Sequence, residues 1–300
     1  MWSLRQLDSV DENGNVGRQV EKHIAGAQDK HREFFYQGVG ARLRVKVTPG
    51  NPQSTPLLLC SGFGVSCDAL ESVVDVLGES TVIRFDAPGI GGSVKAGYWY
   101  RFNALANILC ALLDELGYQT VDVLGISWGG MLAQEFTLSH PERCRKLILV
   151  STLTGHVSVP ATLMSSGLLN PNKWRKRDRF SRFASLVYGG NIPRALWREL
   201  TQQWRIHQIS VLGGLAQVGA IPGWTSIHRL HRIKQPVLLM FGNDDAVIPL
   251  VNANIFQSLI PHAQLRIFDG GHLFPWTCRE RLQREISSFR APLIRRNQHE

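Results

Sequence analysis

Gly125-Ile126-Ser127-Trp128-Gly129-Gly130 is the stretch on which the reading of this chain turns. Before it, Val121 to Leu124 is a short apolar run rich in valine, of the length of a buried strand. After it, Met131 to Leu138 has the spacing of a helix. A serine at the bend between strand and helix, with glycine two positions away on each side, is the nucleophile-elbow pattern. Its spacing has a steric reason. The serine stands clear of a sheet only on a strained backbone, and small neighbours let strand and helix pass closely.

Working outward from the elbow, strands and helices alternate. Strands are expected over Arg42 to Val47, Leu57 to Cys60, Thr81 to Phe85, Lys146 to Val150, Pro236 to Phe241 and Gln264 to Phe268. Helices are expected over Cys67 to Leu77, Asn103 to Leu116, Val251 to Leu259 and Arg279 to Phe289. Alternation of this kind predicts an α/β chain with a mostly parallel, doubly wound sheet covered by helices on both faces.

The alternation lapses between Thr152 and Gln235. Helical pieces are expected there around Asp178 to Val187, Pro193 to Arg205 and Gln208 to Val218, as a cap inserted between strands. The predicted organisation is a polar N-terminal extension over 1–32, with a helix from Val20 to His31, a core over 33–152 and 234–292, a helical cap over 153–233 and a polar tail over 293–300. Lys173, Arg175, Lys176, Arg177, Arg179 and Arg182 make a basic run interleaved with Trp174, Phe180 and Phe183. By charge alone such a run reads as a solvated helix face.

Downstream of Ser127, an aspartate-bearing loop and a histidine-bearing loop each follow a predicted strand. The order Ser, Asp, His is that of α/β-hydrolase triads. In open α/β sheets, reacting groups gather beyond the carboxyl ends of strands, where all three lie on this reading. Ser127 would attack a carbonyl, and His272, after Gly270-Gly271, would take its proton. For the acid, Asp244 and Asp245 are adjacent and would point in different directions. Asp86 precedes the serine and Asp269 sits three residues from His272, so both read as turn-stabilising groups. Acyl chemistry also needs donors for an oxyanion. The backbone N–H of Trp128 and that of Phe63, within Gly62-Phe63-Gly64, are the candidates.

Composition sets the outer limits. Of 300 residues, 44% are hydrophobic and 19% charged, values of a globular chain with a sizeable core. The net charge of +9 favours contact with anionic surfaces but comes with no nucleic-acid-binding module. The five cysteines, Cys60, Cys67, Cys110, Cys144 and Cys278, are scattered and odd in number, which reads as reduced thiols in a cytoplasmic setting, with neither disulfide framework nor zinc site. No signal-peptide core and no stretch near the roughly 20 apolar residues of a membrane span is seen.

With these residues laid out, the chain resembles the α/β-hydrolases, and within them the intracellular poly(3-hydroxyalkanoate) depolymerases that act on medium-chain-length polyester. The resemblance runs from about Leu57 to Phe274. It is densest at Phe85 to Ser93, Ile126 to Gly130, His140-Pro141-Glu142-Arg143-Cys144, Gly223-Trp224-Thr225-Ser226-Ile227-His228 and Ile248-Pro249-Leu250. The resemblance implies an α/β-hydrolase fold, with Ser127 as nucleophile, Asp245 as acid and His272 as base. It also implies hydrolysis of a 3-hydroxy-acid polyester at the surface of cytoplasmic granules, without cofactor or metal. The same triad serves soluble 3-hydroxyacyl esters or thioesters and acyl transfer, and a non-catalytic granule protein on the same scaffold is the remaining alternative. Departures from the family pattern are Ser61 where asparagine is usual, Asn243 and Ala246 in the acid loop, Pro275-Trp276 after the histidine, and a longer N-terminus.

Overall fold

A computed structural model describes residues 31–38, 40–93, 100–156, 158, 187–206 and 211–291, with side chains at 203–206 left aside. Residues 1–30 of the N-terminal extension expected over 1–32, the basic run from Lys173 to Arg182, most of the helix expected over 178–187, and residues 292–300 lie outside the described residues.

The strands form one eight-stranded sheet in the order β1-β2-β4-β3-β5-β6-β7-β8. Strands β1 (Arg32–Gly38) and β2 (Ala41–Thr48) make an antiparallel hairpin, and β2 pairs antiparallel with β4 (Val82–Phe85). From β4 onward through β3 (Leu57–Cys60), β5 (Val121–Ile126), β6 (Cys144–Val150), β7 (Val237–Gly242) and β8 (Gln264–Phe268), every pairing is parallel. The α/β-hydrolase fold follows from this order. Strand β1 was not expected, because three aromatics in a row hide the period of two. In the sheet Phe34 and Tyr36 turn inward, while Phe35 stays half-buried with the Arg42 guanidinium over its ring at 4.5 Å.

The continuous apolar runs of the central strands resolve into two alternating sets. Leu58, Cys60, Val121, Val123, Leu147 and Leu149 face one layer, packed under α2 (Phe102–Glu115), α3 (Trp128–Ser139) and α6 (Val251–Leu259). Leu57, Leu59, Leu124, Ile126, Ile148 and Val150 face the other, with α1 (Glu71–Val74), α7 (Phe274–Thr277) and α8 (Arg279–Arg290). Each fully buried leucine contributes about 2 kcal/mol of hydrophobic stabilisation, so burial on both faces is what holds the parallel strands. Helix α4 (Arg194–Ile206) joins this second layer through Trp197 and Leu200, and α5 (Val211–Gly219) follows it.

The helix expected over Cys67 to Leu77 is broken into a 3-10 turn (Cys67–Leu70) and the short α1. The Cys67 N–H donates to Asp86 Oδ1 at 2.6 Å, and Asp68 is held by Arg44 and Lys46, so side chains claim the first turn. At the opposite edge, Arg290 ties the last helix to the sheet. Its Nε donates to the buried Asp122 carboxylate at 2.7 Å, which Arg145 also grips through two nitrogens. No helix among the described residues is long and apolar enough to cross a membrane.

Candidate active site

Ser127 sits between the last residue of β5 and the first of α3, with φ 54° and ψ −118°. This is left-handed territory for a residue with a side chain, and the surroundings enforce it. The Ser127 N–H donates to the Val150 carbonyl at 2.9 Å, and Thr152 Oγ1 donates to the Ser127 carbonyl at 2.7 Å. A side chain at Gly125 would run into Gly130 Cα and Ala133 Cβ, and one at Gly129 into the backbone of Cys60. The two glycines therefore set the close approach of strand, helix and the neighbouring loop that the sequence pattern implied.

That loop is Gly62-Phe63-Gly64, and it lies directly against the serine. A Cβ placed on Gly62 would stand 3.6 Å from Ser127 Cβ. Gly64 has φ +68°, a conformation that glycine adopts without strain, and the turn is closed by the Val65 N–H donating to the Gly62 carbonyl at 3.2 Å. Phe63 and Trp128 both line a cavity of about 250 Å³ with Ser127. Met131, Val218 and Ile248 also line it, and every described lining side chain except that of Ser127 is apolar.

The adjacent aspartates part company. Asp245 is buried: its Oδ1 accepts the N–H groups of Val247 (2.9 Å) and Ile248 (2.7 Å), and its Oδ2 meets His272 Nδ1 at 2.9 Å. Asp244 points the other way, where its Oδ2 accepts the Gly190 N–H at 2.9 Å. Asp86 and Asp269 are both engaged in loops. Asp86 accepts from the N–H groups of Cys67 (2.6 Å) and Gly92 (2.8 Å), and Asp269 Oδ1 accepts from Asn243 Nδ2 at 3.2 Å. Asn243 in turn receives the Gly270 N–H at 3.1 Å, so this departure from the family pattern straps the acid loop to the histidine loop.

The geometry thus brings Asp245 and His272 together at the carboxyl edge of the sheet, beyond β7 and β8, with Ser127 beyond β5 on the same edge. Among the described residues Ser127 Oγ makes no hydrogen bond with His272. The carboxylate on Nδ1 leaves the imidazole Nε2 as the nitrogen for exchange with a hydroxyl.

Sequence reasoning missed two further contributors. Tyr188 accepts the His272 N–H on its carbonyl at 2.6 Å and stacks its ring on the imidazole. Gln217, on α5, accepts the Gly64 N–H on Oε1 at 2.7 Å, while its carbonyl accepts Trp128 Nε1–H at 2.9 Å. On α5, Gly213 and Gln217 are buried one turn apart while Val211, Leu212, Leu215 and Val218 on the other side are exposed, an inversion of the usual apolar-inward pattern that the sequence does not announce. The Gly223 to His228 segment, selective in sequence, proves to be an anchor. Trp224 Nε1 donates to Glu135 Oε2 at 2.7 Å, Arg229 pairs with the same carboxylate, and Ser226 Oγ donates to Gln134 Oε1 at 2.6 Å, all on the elbow helix. Burial raises the Glu135 carboxyl, but bonds from Arg229 and Trp224 outweigh it and hold it below its ordinary range.

Comparison with known proteins agrees with this architecture. Residues 55–277 match the family described as alpha/beta hydrolase fold. A poly(3-hydroxyalkanoate) depolymerase from Ectopseudomonas oleovorans is 39% identical over 249 residues, covering 82% of this chain and 88% of that protein. A 2-hydroxy-6-oxononadienedioate/2-hydroxy-6-oxononatrienedioate hydrolase from Burkholderia vietnamiensis is 27% identical over 284 residues, covering 89% and 97%. Among solved structures, a hydrolase from Pseudomonas aeruginosa superposes with a TM-score of 0.71 at 22% identity, covering 89% of this chain and 100% of that one. An esterase from Exiguobacterium antarcticum does so with a TM-score of 0.71 at 21% identity, covering 85% and 98%. These two likenesses carry the fold.

Proposed function

Because the chain belongs to the α/β-hydrolase family, we propose that it is a serine hydrolase cleaving the ester bonds of an intracellular poly(3-hydroxyalkanoate) of medium side-chain length. The observation that carries the chemistry is the Asp245–His272 contact at the sheet edge that also presents Ser127 to an apolar cavity. Ser127 Oγ attacks the ester carbonyl while His272 Nε2 takes its proton, and Asp245 keeps the other imidazole nitrogen protonated. The Phe63 and Trp128 N–H groups receive the oxyanion. Collapse expels the alcohol, which leaves with the proton from His272, and water then hydrolyses the acyl-enzyme by the same route. The Ser127–His272 hydrogen bond forms as substrate enters, as sites of this kind commonly tighten on binding.

The substrate reading is supported by the 39% identity to a depolymerase and by the apolar cavity, whose lining suits an aliphatic side chain. The net positive charge favours work at the anionic surface of a cytoplasmic storage granule. A second reading, hydrolysis of soluble 3-hydroxyacyl esters or thioesters, is favoured by the cavity size, since about 250 Å³ holds one acyl unit and does not require a polymer. Ser127→Ala is expected to abolish release of hydroxy acids from medium-chain polyester, and undiminished release removes the nucleophile. A panel of medium-chain polyester, short-chain polyester, p-nitrophenyl esters and acyl thioesters separates the two substrates. Turnover of the soluble esters with none on polyester selects the second.

A further inference from the structure

Gln217 joins the two elements that carry the proposed oxyanion donors. The loop bearing Phe63 has its next residue, Gly64, tied through its N–H to Gln217 Oε1 at 2.7 Å. The helix bearing Trp128 has that residue's indole tied through Nε1–H to the Gln217 carbonyl at 2.9 Å. Both bonds are buried, and Gln217 itself is 0% exposed. It comes from α5, separated from Gly64 by 153 residues in sequence.

The side chain is held at an energetic disadvantage. Among the described residues Gln217 Nε2 is buried with no hydrogen-bond partner. An apolar side chain would remove that unsatisfied donor but leave the buried Gly64 N–H without its acceptor. What the amide supplies is its oxygen. Gly64 is left-handed and lies between the candidate donor at Phe63 and the turn closure at Val65, and Gln217 Oε1 is the side-chain acceptor that fixes its peptide plane. From the other side, the Trp128 ring is braced by Phe102 at 4.9 Å and by Tyr100 edge-on at 6.4 Å, leaving the indole N–H aimed at the same residue.

We propose that Gln217 is a positioning residue for the oxyanion site, through which helix α5 sets the spacing between the Phe63 and Trp128 N–H groups. Among the described residues it makes no hydrogen bond to the nucleophile or the base. Its effect falls on the transition state, where charge builds on the carbonyl oxygen, and hardly at all on ground-state binding. The inference rests on the reading of Ser127 as a nucleophile.

The test is Gln217→Met, which keeps the length and flexibility of the side chain and removes the acceptor. On a soluble p-nitrophenyl ester, kcat is expected to fall roughly ten- to a hundredfold with KM within about twofold, since small misplacement of a preorganised group costs on that scale. Affinity for an alkylboronic acid, whose tetrahedral adduct on Ser127 needs the same donors, is expected to fall by the same factor. A change confined to KM with boronate affinity intact, or no change at all, overturns the proposal. Should circular dichroism show that variant unfolded, Trp128→Phe removes the other bond to Gln217 and carries the same test. Native kcat and boronate affinity in Trp128→Phe then overturn it. An active Ser127→Ala defeats the parent reading, whereas an inactive Ser127→Ala beside a native Gln217→Met defeats this inference alone.

Discussion

Tyr188 holds His272 from two directions. Its carbonyl accepts the His272 backbone N–H at 2.6 Å, and its ring lies nearly parallel to the imidazole, at 17° with centroids 6.5 Å apart. The neighbouring glycines are locked into the same corner: a side chain at Gly190 would strike the Gly271 backbone, and Gly189 bridges Asp245. This stretch of the cap expected over 153–233 is thus built into the wall of the site. Tyr188→Phe is expected to retain native turnover, because the stack and the backbone bond survive. Tyr188→Ala is expected to lower kcat about tenfold, the worth of one aromatic contact. Steady-state kinetics on a soluble ester check both, and equal turnover in the two variants would exclude the stack as a support for the histidine.

The contrast between neighbouring carboxylates gives a second prediction. Asp245→Asn removes the charge facing His272 Nδ1 and leaves the imidazole free to adopt the wrong tautomer, so kcat is expected to drop by roughly 10³ to 10⁴. Asp244→Asn keeps an oxygen for the Gly190 N–H and exchanges a charged acceptor for a neutral one, a change of about 1 kcal/mol and less than about tenfold in rate. Greater loss in Asp244→Asn than in Asp245→Asn would reverse the assignment.

A third prediction concerns stability at low pH. Burial raises the Asp68 carboxyl, but hydrogen bonds from Arg44, at 2.5 Å, and from Lys46 outweigh it and hold the carboxyl down at about 2. A carboxylate held below its unfolded value of about 4 stabilises the fold above that pH, and the contribution is lost as pH falls toward 2. The shift corresponds to about 2 kcal/mol at neutral pH. Asp68→Asn is therefore expected to be less stable than the native chain by about that amount at pH 7, with the gap closing between about pH 4 and pH 2. Urea unfolding across that range measures it, and a gap independent of pH would assign the effect to packing.

Much of this was legible from local patterns. The elbow could be read because its strain and its glycines act within six residues, and the central strands because apolar runs bounded by turn residues need no distant partner to be recognised. Asp–His order after successive strands placed the candidate groups on one edge, since parallel connections return every strand in the same direction. By contrast, Cys67 to Leu77 reads as a helix on its own spacing and is broken by Asp86, which takes the Cys67 N–H from another loop.

The sequence by itself determined the alternation of strands and helices and the residue types at the sheet edge, because those follow from backbone sterics and from the period of burial. The family resemblance pointed to Asp245 as the acid, and the tertiary structure supplied its contact with His272, what steadies the imidazole, and what ties the Phe63 loop to the elbow helix. Without that resemblance the adjacent aspartates are alike in local pattern, and the fold separates them by giving Gly190 one and His272 the other. Gln217 is one polar residue in an apolar helix until the fold brings Gly64 and Trp128 to its two oxygens across 153 and 89 positions of chain. Contacts at such separation leave no periodic trace, so they exist for a reader only once the chain has closed on itself.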